Sequence, residues 1–418
     1  MKTRTVQTKL EIKIENCRAC SSSDLTYILD LGNQPLSGVF PLSNESDPMS
    51  GPLRLLKCDE CHLVQLDHDF PLDLMYGDNY GYRSGLNASM ASHLSSKAQR
   101  LIKKYKINPG STILDIGSND GTLLNSYDSY QYNLVGIDPT IKKFGEFYNE
   151  GILQIPDFFD ASLYLKNATK AQLITSISML YDLQDPFKFI QDIANILDKD
   201  GIWHFEQSYL PSMMQTNAYD TVCHEHLEYY SINSINGMLI RANLRIVDIE
   251  FNSTNGGSFA VTAARGDSVH VPHPLVSWYI RQEDLRGLDQ LQSYEQFRQN
   301  VSRHITSLVD FFSMTKQSGM KVYGIGASTK GNVLLNSAKI DSSCISAIID
   351  VNEYKWERVT PGSRIPIYSE ELFEKFPPDL AFVLPWHFKP NINLKYKNYL
   401  IGGGKLVYPL PYFEVVGD

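Results

Sequence analysis

Short apolar runs recur through the middle of this 418-residue chain, each closed by Gly, Asp or Asn, with helical periodicity between them. Thr112-Ile113-Leu114-Asp115-Ile116-Gly117 reads as a buried parallel strand, Ser118-Asn119-Asp120-Gly121 as a turn, and a helix is predicted from Thr122. Further strands are predicted at 133–137, 152–155, 173–178 and 201–207. Two last runs, 244–252 and 258–264, flank Asn255-Gly256-Gly257, a hairpin-type turn. The pattern is an α/β sheet, mostly parallel and closed by an antiparallel hairpin. Residues 280–314 have long helical periodicity, many charges and no proline, and read as a helical linker. Val322-Tyr323-Gly324-Ile325-Gly326 then opens a second strand and glycine turn. Strands at 345–350, 364–368, 380–384 and 405–409 would complete a second, smaller Rossmann-like sheet. Ahead of both, 29–40 reads as strand, turn and strand. The expected divisions are 1–75, 76–279, 280–314 and 315–418.

The first glycine turn carries chemistry. Its order is Asp115-x-Gly117-x-Asn119-x-Gly121, with Ser118 and Asp120 interleaved, and it lacks the dinucleotide G-x-G-x-x-G fingerprint. Such a turn suits a nucleoside with an amino-acid tail, S-adenosylmethionine (SAM). Asp138, before Pro139 at the end of the 133–137 strand, could accept ribose hydroxyls. Asp157-Phe158-Phe159 could clasp an adenine, and Ser176 and Ser178 are assigned with them. Another doubly wound nucleotide-binding domain is the alternative. In the second turn, Gly324, Gly326, Ala327, Ser328, Lys330 and Asn332 offer amides, hydroxyl groups and a cation to an anionic group, without Walker spacing. Asn255 and Gly256 are grouped with these as substrate contacts. A lobe with an empty crevice, Lys330 merely capping a loop, is the alternative.

Cys223-His224-Glu225-His226-Leu227-Glu228-Tyr229-Tyr230-Ser231 packs two imidazoles, two carboxylates and two phenols into one segment. Beside a cofactor pocket it suggests proton abstraction followed by group transfer. A His-x-His metal pair or solvated charges are the alternatives, and Glu228 is expected on a solvated face. At the N-terminus, Cys17-x-x-Cys20 and Cys58-x-x-Cys61 supply four thiolates suited to a tetrahedral Zn²⁺. A shell filled by thiolates has no open position, so this zinc is expected to be structural; redox or buried cysteines are the alternative.

Composition narrows the classes. A charged fraction of 20% and a hydrophobic fraction of 43% are those of a globular chain. The net charge of −9 argues against nucleic-acid binding. No apolar run is long enough to span a membrane, and residues 1–16 have no apolar core of a signal peptide. A cytoplasmic monomer is the expectation.

Taken together, CRAC, CDEC, LDIGSNDGTLL, CHEHLEYYS, NGGSFAV and YGIGASTKGNVLLN resemble, in this order and over nearly the whole chain, the three-domain zinc-containing sugar C-methyltransferases. These act on nucleotide-linked 4-keto deoxyhexoses at carbon 3. The resemblance implies a zinc-binding domain, a central class I SAM methyltransferase domain and a C-terminal Rossmann-like domain that helps hold a nucleotide-linked keto sugar. It implies His226 as base, Glu225 as its acidic neighbour, and Tyr80 and Tyr82 in a stretch closing over the cofactor. The chemistry also calls for a donor at the enolate oxygen, for which His224 or a tyrosine such as Tyr82 or Tyr230 is a candidate; a structural hydrogen-bonding histidine is the alternative for His224. Two positions depart from the family pattern. Cys223 replaces a tyrosine, whose work would be dropped or fall to another residue such as Tyr229 or Tyr230, and Asp182 stands where many relatives have histidine. An O- or N-methyltransferase, or a non-catalytic sugar-nucleotide scaffold, are the competing readings.

Overall fold

The chain is described here by a computed structural model covering residues 12–71 and 82–417. The first unit contains β1 (Ile12–Lys13), β2 (Leu25–Pro35), β3 (Ser50–Cys58), β4 (Val64–Leu66) and β5 (His68–Asp69). The second contains β6 (Thr112–Ile116), β7 (Asn133–Ile137), β8 (Leu153–Ile155), β9 (Ala171–Ile177), β10 (Leu197–Ser208), β11 (Glu228–Tyr229), β12 (Leu244–Asn252) and β13 (Ser258–Arg265). The third contains β14 (Val322–Ile325), β15 (Ala347–Ile349), β16 (Ile367–Tyr368), β17 (Leu380–Val383), β18 (Lys405–Tyr408) and β19 (Glu414–Val416).

The central sheet runs β12-β13-β10-β9-β6-β7-β8. Strands β8 to β10 are parallel, and β13 inserts antiparallel between β10 and β12. Its middle strands are apolar without alternation because both faces are covered. Ile113, Leu173 and Ile202 pack under Leu94, Ala98 and Leu101 of helix Ala88–Tyr105. Leu114, Ile174 and Trp203 face Ile190 and Ile193 of helix Pro186–Ile196. Asn87 and Asp185 cap these two helices through their side chains, as short polar residues do best. The third unit is a sheet in the order β16-β15-β14-β17-β18-β19, parallel except for β19.

The units share an interior. Leu53 and Leu55 of the first, Tyr219, Val222 and Leu227 of the second, and Tyr323, Val333 and Trp386 of the third belong to one buried cluster. Burying each such side chain is worth about 1.5–3 kcal/mol, so the seams between units are packed like cores.

Four local expectations are corrected. Only one 3-10 turn, Leu124–Ser126, follows the first glycine turn, because the chain folds back at Asp128 and enters β7 at Asn133. The 29–40 stretch is one bulged strand as far as Pro35, with Gly32 at φ 78°. The 280–314 linker is two helices, Pro274–Asp284 and Leu291–Gln317, with Gly287 at φ 64° between them. The division expected at 279/280 therefore falls inside a helix. That helix is tied to the central unit: buried Glu283 accepts hydrogen bonds from Tyr209 Oη and from the Ile232 and Asn233 amides. Finally, Glu228 is not solvated. It is 2% exposed and lies 3.6 Å from Arg18 Nε, because β11 pairs with the first unit.

Candidate active site

Strand β6 sits where the chain order of the sheet reverses, which is where parallel sheets open a crevice at their C-terminal edge. Gly117, Asn119 and Gly121 leave β6 with φ of 72°, 50° and 73°. A Cβ on Gly117 would lie 3.0 Å from Met179, and one on Gly121 2.9 Å from Tyr148, so conformation and space both demand glycine. The Asn119 amide donates to Asp138 Oδ2 (2.9 Å), and the Thr140 amide donates to Oδ1 (2.6 Å). Oδ1 also accepts from Thr140 Oγ1 (2.5 Å), so Oδ2 is the oxygen that retains a lone pair for a ribose, and Pro139 follows at the rim. The Asn119 side chain accepts from Ser84 N and donates to Tyr82 O, while Asp120 accepts from Gly85 N. The 82–85 segment is thus folded onto the turn. Tyr82 is exposed there, and Tyr80 lies outside the described residues. Asp115 accepts from Thr175 Oγ1 (2.6 Å), and burial pushes its carboxyl up to about 7.

Other assigned side chains turn elsewhere. Ser118 Oγ is bound to Tyr148 Oη (2.7 Å), and Ser176 accepts from Trp203 Nε1 (2.8 Å) within the core. Asp157 folds onto the Phe158 amide at the surface, where Phe158 is exposed, and Phe159 meets Phe189 edge-on. Ser178, at φ 56°, donates its amide to the Glu206 carbonyl. The crevice still fits SAM, through the two glycines that leave no room for a side chain and the carboxylate of Asp138 at its edge.

The histidine-rich segment is stitched into the first unit. Glu228 and Tyr229 pair with Gln65 and Val64, and Leu66 N donates to Leu227 O (2.8 Å). On the other side Leu227 N donates to Tyr181 O (2.7 Å). His224 is fully buried, donates from Nε2 to Gly51 O (3.2 Å) and meets Phe70 edge-on; burial lowers its pKa to about 4. It is a neutral strut with no surface for a ligand. Tyr230 is equally buried, its hydroxyl directed at Leu180 O, and Tyr229 directs its hydroxyl at Thr221 O. Neither phenol is available to replace the one missing at Cys223.

His226 and Glu225 are different, being only half-buried. His226 Nδ1 lies 3.0 Å from Thr221 O. A carbonyl only accepts, so Nδ1 carries the proton and Nε2 a lone pair. The ring rests on Tyr181, with centroids 4.3 Å apart. Burial, and then the charge of Lys330, lowers its pKa to about 3, which leaves the imidazole neutral. Glu225 Oε1 lies against Gly38, where a Cβ would come within 2.1 Å of it, and burial raises the carboxyl's pKa.

The second glycine turn is satisfied from within. Ala327 N donates to Asp350 Oδ2 (2.6 Å), Gly326 N to Ile349 O, and Gly331 N to Ser328 Oγ (3.0 Å). Gly324 packs on Ile348, and Asn332 Nδ2 ties to Ser37 O in the first unit. The expected anion cradle is therefore corrected: Asp350 already occupies the amide that an anion would need, and its charge opposes one. Lys330 leaves this turn altogether and donates to Asn255 O (3.0 Å) between β12 and β13. Beside it Gly256, at φ 90°, leaves space for Trp386, whose Nε1 donates to Asp220 Oδ2 (2.8 Å). Gly38, Asp220, Trp386 and His387 were not singled out from sequence. The signal for the last two was Pro385-Trp386-His387 following β17, at the edge where such sheets present ligand-facing loops.

The four N-terminal thiols converge. Cys17 and Cys61 Sγ are 3.5 Å apart, as are Cys20 and Cys58, and all four sulfurs lie within 4.8 Å of one another without a disulfide. That spacing and donor set fit tetrahedral zinc. Burial pushes the Cys58 thiol up to about 11, a cost that a bound dication reverses. With no open position in the shell, the metal would hold the fold and take no part in the chemistry.

Sheet order, glycine turn and carboxylate define a class I, SAM-dependent methyltransferase. Comparison with known proteins refines this. A zinc binding domain model matches residues 17–76, a methyltransferase domain model 89–249, and a C-methyltransferase C-terminal domain model 253–411. The chain is 28% identical over 410 residues to the C-methyltransferase NovU of Streptomyces niveus, covering 96% of this chain and 97% of that one. Among solved structures, a SAM-dependent methyltransferase from Clostridium acetobutylicum matches at 14% identity, 42% of this chain, 92% of that one and a TM-score of 0.35. Magnesium protoporphyrin IX methyltransferase from Synechocystis, with bound SAH, matches at 13%, 44%, 90% and 0.34. The chain is a zinc-containing, three-domain C-methyltransferase that uses SAM. Among the described residues no helix is long and apolar enough to cross a membrane.

Proposed function

We propose that this enzyme methylates carbon 3 of a nucleotide-linked 4-keto deoxyhexose, with His226 as the base. A C–H beside a ketone is acidic enough to be removed by a positioned imidazole. The observation that carries this reading is the His226 Nδ1–Thr221 O bond, which leaves the basic lone pair on Nε2 of a half-buried ring. Glu225, next to it in the chain and with an Oε2 that has no hydrogen-bond partner among the described residues, is assigned to steady the imidazolium that forms. Gly117, Asn119, Gly121 and Asp138 would hold SAM, which supplies an electrophilic methyl group when bound. The packed seams exclude water and align the acceptor. Similarity to NovU and the C-methyltransferase C-terminal domain support carbon as the acceptor.

The test is turnover with dTDP-, GDP- and CDP-linked 4-keto-6-deoxyhexoses in heavy water. The wild type should wash out the proton beside the ketone and form a C-methylated product. His226→Gln should lose at least about 100-fold in both while binding SAM normally. Full turnover of H226Q would refute the assignment, and turnover without loss of the proton would refute the enolate route.

A further inference from the structure

Lys330 belongs to helix Thr329–Ser337 of the third unit, yet its ammonium crosses to the second. Of its three donors the Asn255 carbonyl takes one. Around it lie groups with unused capacity. Asp220 is fully buried, and its Oδ1, like His387 Nδ1, has no hydrogen-bond partner among the described residues. Burial, and then the charge of Lys330, lowers the basicity of both His226 and His387; burial also lowers the lysine's own pKa, with Asp220 opposing that shift. A chain of contacts joins these groups at the junction of two units: Lys330 on the Asn255 carbonyl, Gly256 against Trp386, Trp386 Nε1 on Asp220, and, one residue on, the Thr221 carbonyl under His226.

The sequence pattern pointed Lys330 at a phosphate, but the geometry does not. The amides that would share a phosphate are spent on Asp350, Ile349 and Ser328. The proposed reaction also needs a donor at the ketone oxygen. Cys223, almost wholly buried, is a neutral thiol, because burial raises its pKa well above the usual thiol value, and Tyr229 and Tyr230 are directed at backbone carbonyls. We propose that Lys330 is a catalytic residue whose ammonium holds the ketone oxygen of the substrate while His226 removes the neighbouring proton; this role rests on the keto-sugar reading above. The C–H bond breaks and its proton goes to His226 Nε2. The C–H pair becomes a carbon–carbon double bond, and the carbonyl π pair moves to the oxygen beside Lys330. The enolate carbon then bonds the methyl carbon as the methyl–sulfur bond breaks, that pair staying on sulfur, and the ketone re-forms. Lys330 stays protonated throughout. In the empty site its charge weakens the base; the growing enolate charge cancels that effect, so the imidazolium is favoured where the barrier lies.

The experiment compares full-length, zinc-loaded wild type with K330M and K330Q on the same three keto-sugar nucleotides. It reads proton exchange in heavy water, kcat, and binding of SAM and of dTDP, GDP and CDP. Both variants should lose about 10²–10³-fold in exchange and kcat, bind the diphosphates within about threefold of wild type, and bind SAM normally. K330Q can keep a hydrogen bond to Asn255 and gives the same reading should K330M not fold. Wild-type exchange and turnover in either folded variant overturns the proposal. So does tenfold weaker diphosphate binding with kcat unchanged, which would make Lys330 a phosphate clamp. A wild type that exchanges no proton with any of the sugars overturns the keto-sugar reading, and this role with it.

Discussion

Removing the metal should disable the enzyme at a distance, through the strand that joins the cysteine cluster to His226. The perturbation is chelation of the zinc from the intact enzyme at neutral pH. The Cys17/Cys20/Cys58/Cys61 cluster closes the end of β3, and β3 and β4 in turn carry β11. Structural zinc contributes on the order of 10 kcal/mol or more to small domains of this kind, far more than the bonds it supports here. Those bonds include Leu66 N to Leu227 O, His224 to Gly51 O and the β4–β11 ladder. At about 1 kcal/mol net for each of three such bonds, their loss amounts to roughly 3 kcal/mol, or about a hundredfold in local opening. Hydrogen exchange read by mass spectrometry on peptides covering 223–230 and 112–117 is the assay. The first should exchange about a hundredfold faster in the metal-free protein, the second should be little changed, and methyl transfer should fail while SAM still binds. Full protection at 223–230 together with retained activity in metal-free protein would refute the link.

Two other perturbations address the buried charges. Burial opposes ionisation of Glu206, but His93 at 2.7 Å and Lys97 at 2.7 Å outweigh it and hold its pKa at about 2, against an ordinary 4.5. A depressed carboxylate stabilises the fold above its unfolded value and loses that contribution as pH falls from about 4.5 through about 2, here roughly 3 kcal/mol. Glu206→Gln should therefore lower Tm at pH 7 and flatten its fall on acidification; an unchanged Tm–pH curve would contradict this. Arg18→Met removes the cation shared by Asp69 (2.6 Å) and buried Glu228 (3.6 Å) and should cost roughly 3–5 kcal/mol in urea unfolding. Adding Glu228→Gln should restore a good part of that, and strictly additive losses would show that the two residues are not coupled.

Local signals were legible where the chain itself enforces the geometry. The strands around the first glycine turn and the β12–β13 hairpin follow from apolar runs closed by residues that tolerate positive φ, such as Gly117, Gly121 and Asn255. The four cysteines announce their convergence by spacing alone. The misreading of Glu228, and the choice between the two readings of His224, turn on contacts between units far apart in sequence. Glu228 reads as a solvated charge until β11 is paired with β4, and His224 reads as a candidate donor until Gly51 and Phe70 enclose it. Asp220 carries no motif and gains meaning only from Trp386, 166 positions away.

The same contacts explain why the site is divided among the units. A base on a mobile loop would have to be ordered afresh by each substrate, at an entropic cost of about 1–2 kcal/mol per residue. Here the loop bearing His226 is held by β4 of the first unit on one side and by the Tyr181 carbonyl of the second on the other. The third unit adds Lys330 and Trp386 through Asn255 and Asp220. On the proposed reading each unit alone therefore lacks part of the geometry: the first has no catalytic side chain, the second has a proposed base that is not held, and the third has a cation without a partner. Packed seams between the three, more than any one motif, make a reactive centre of these residues.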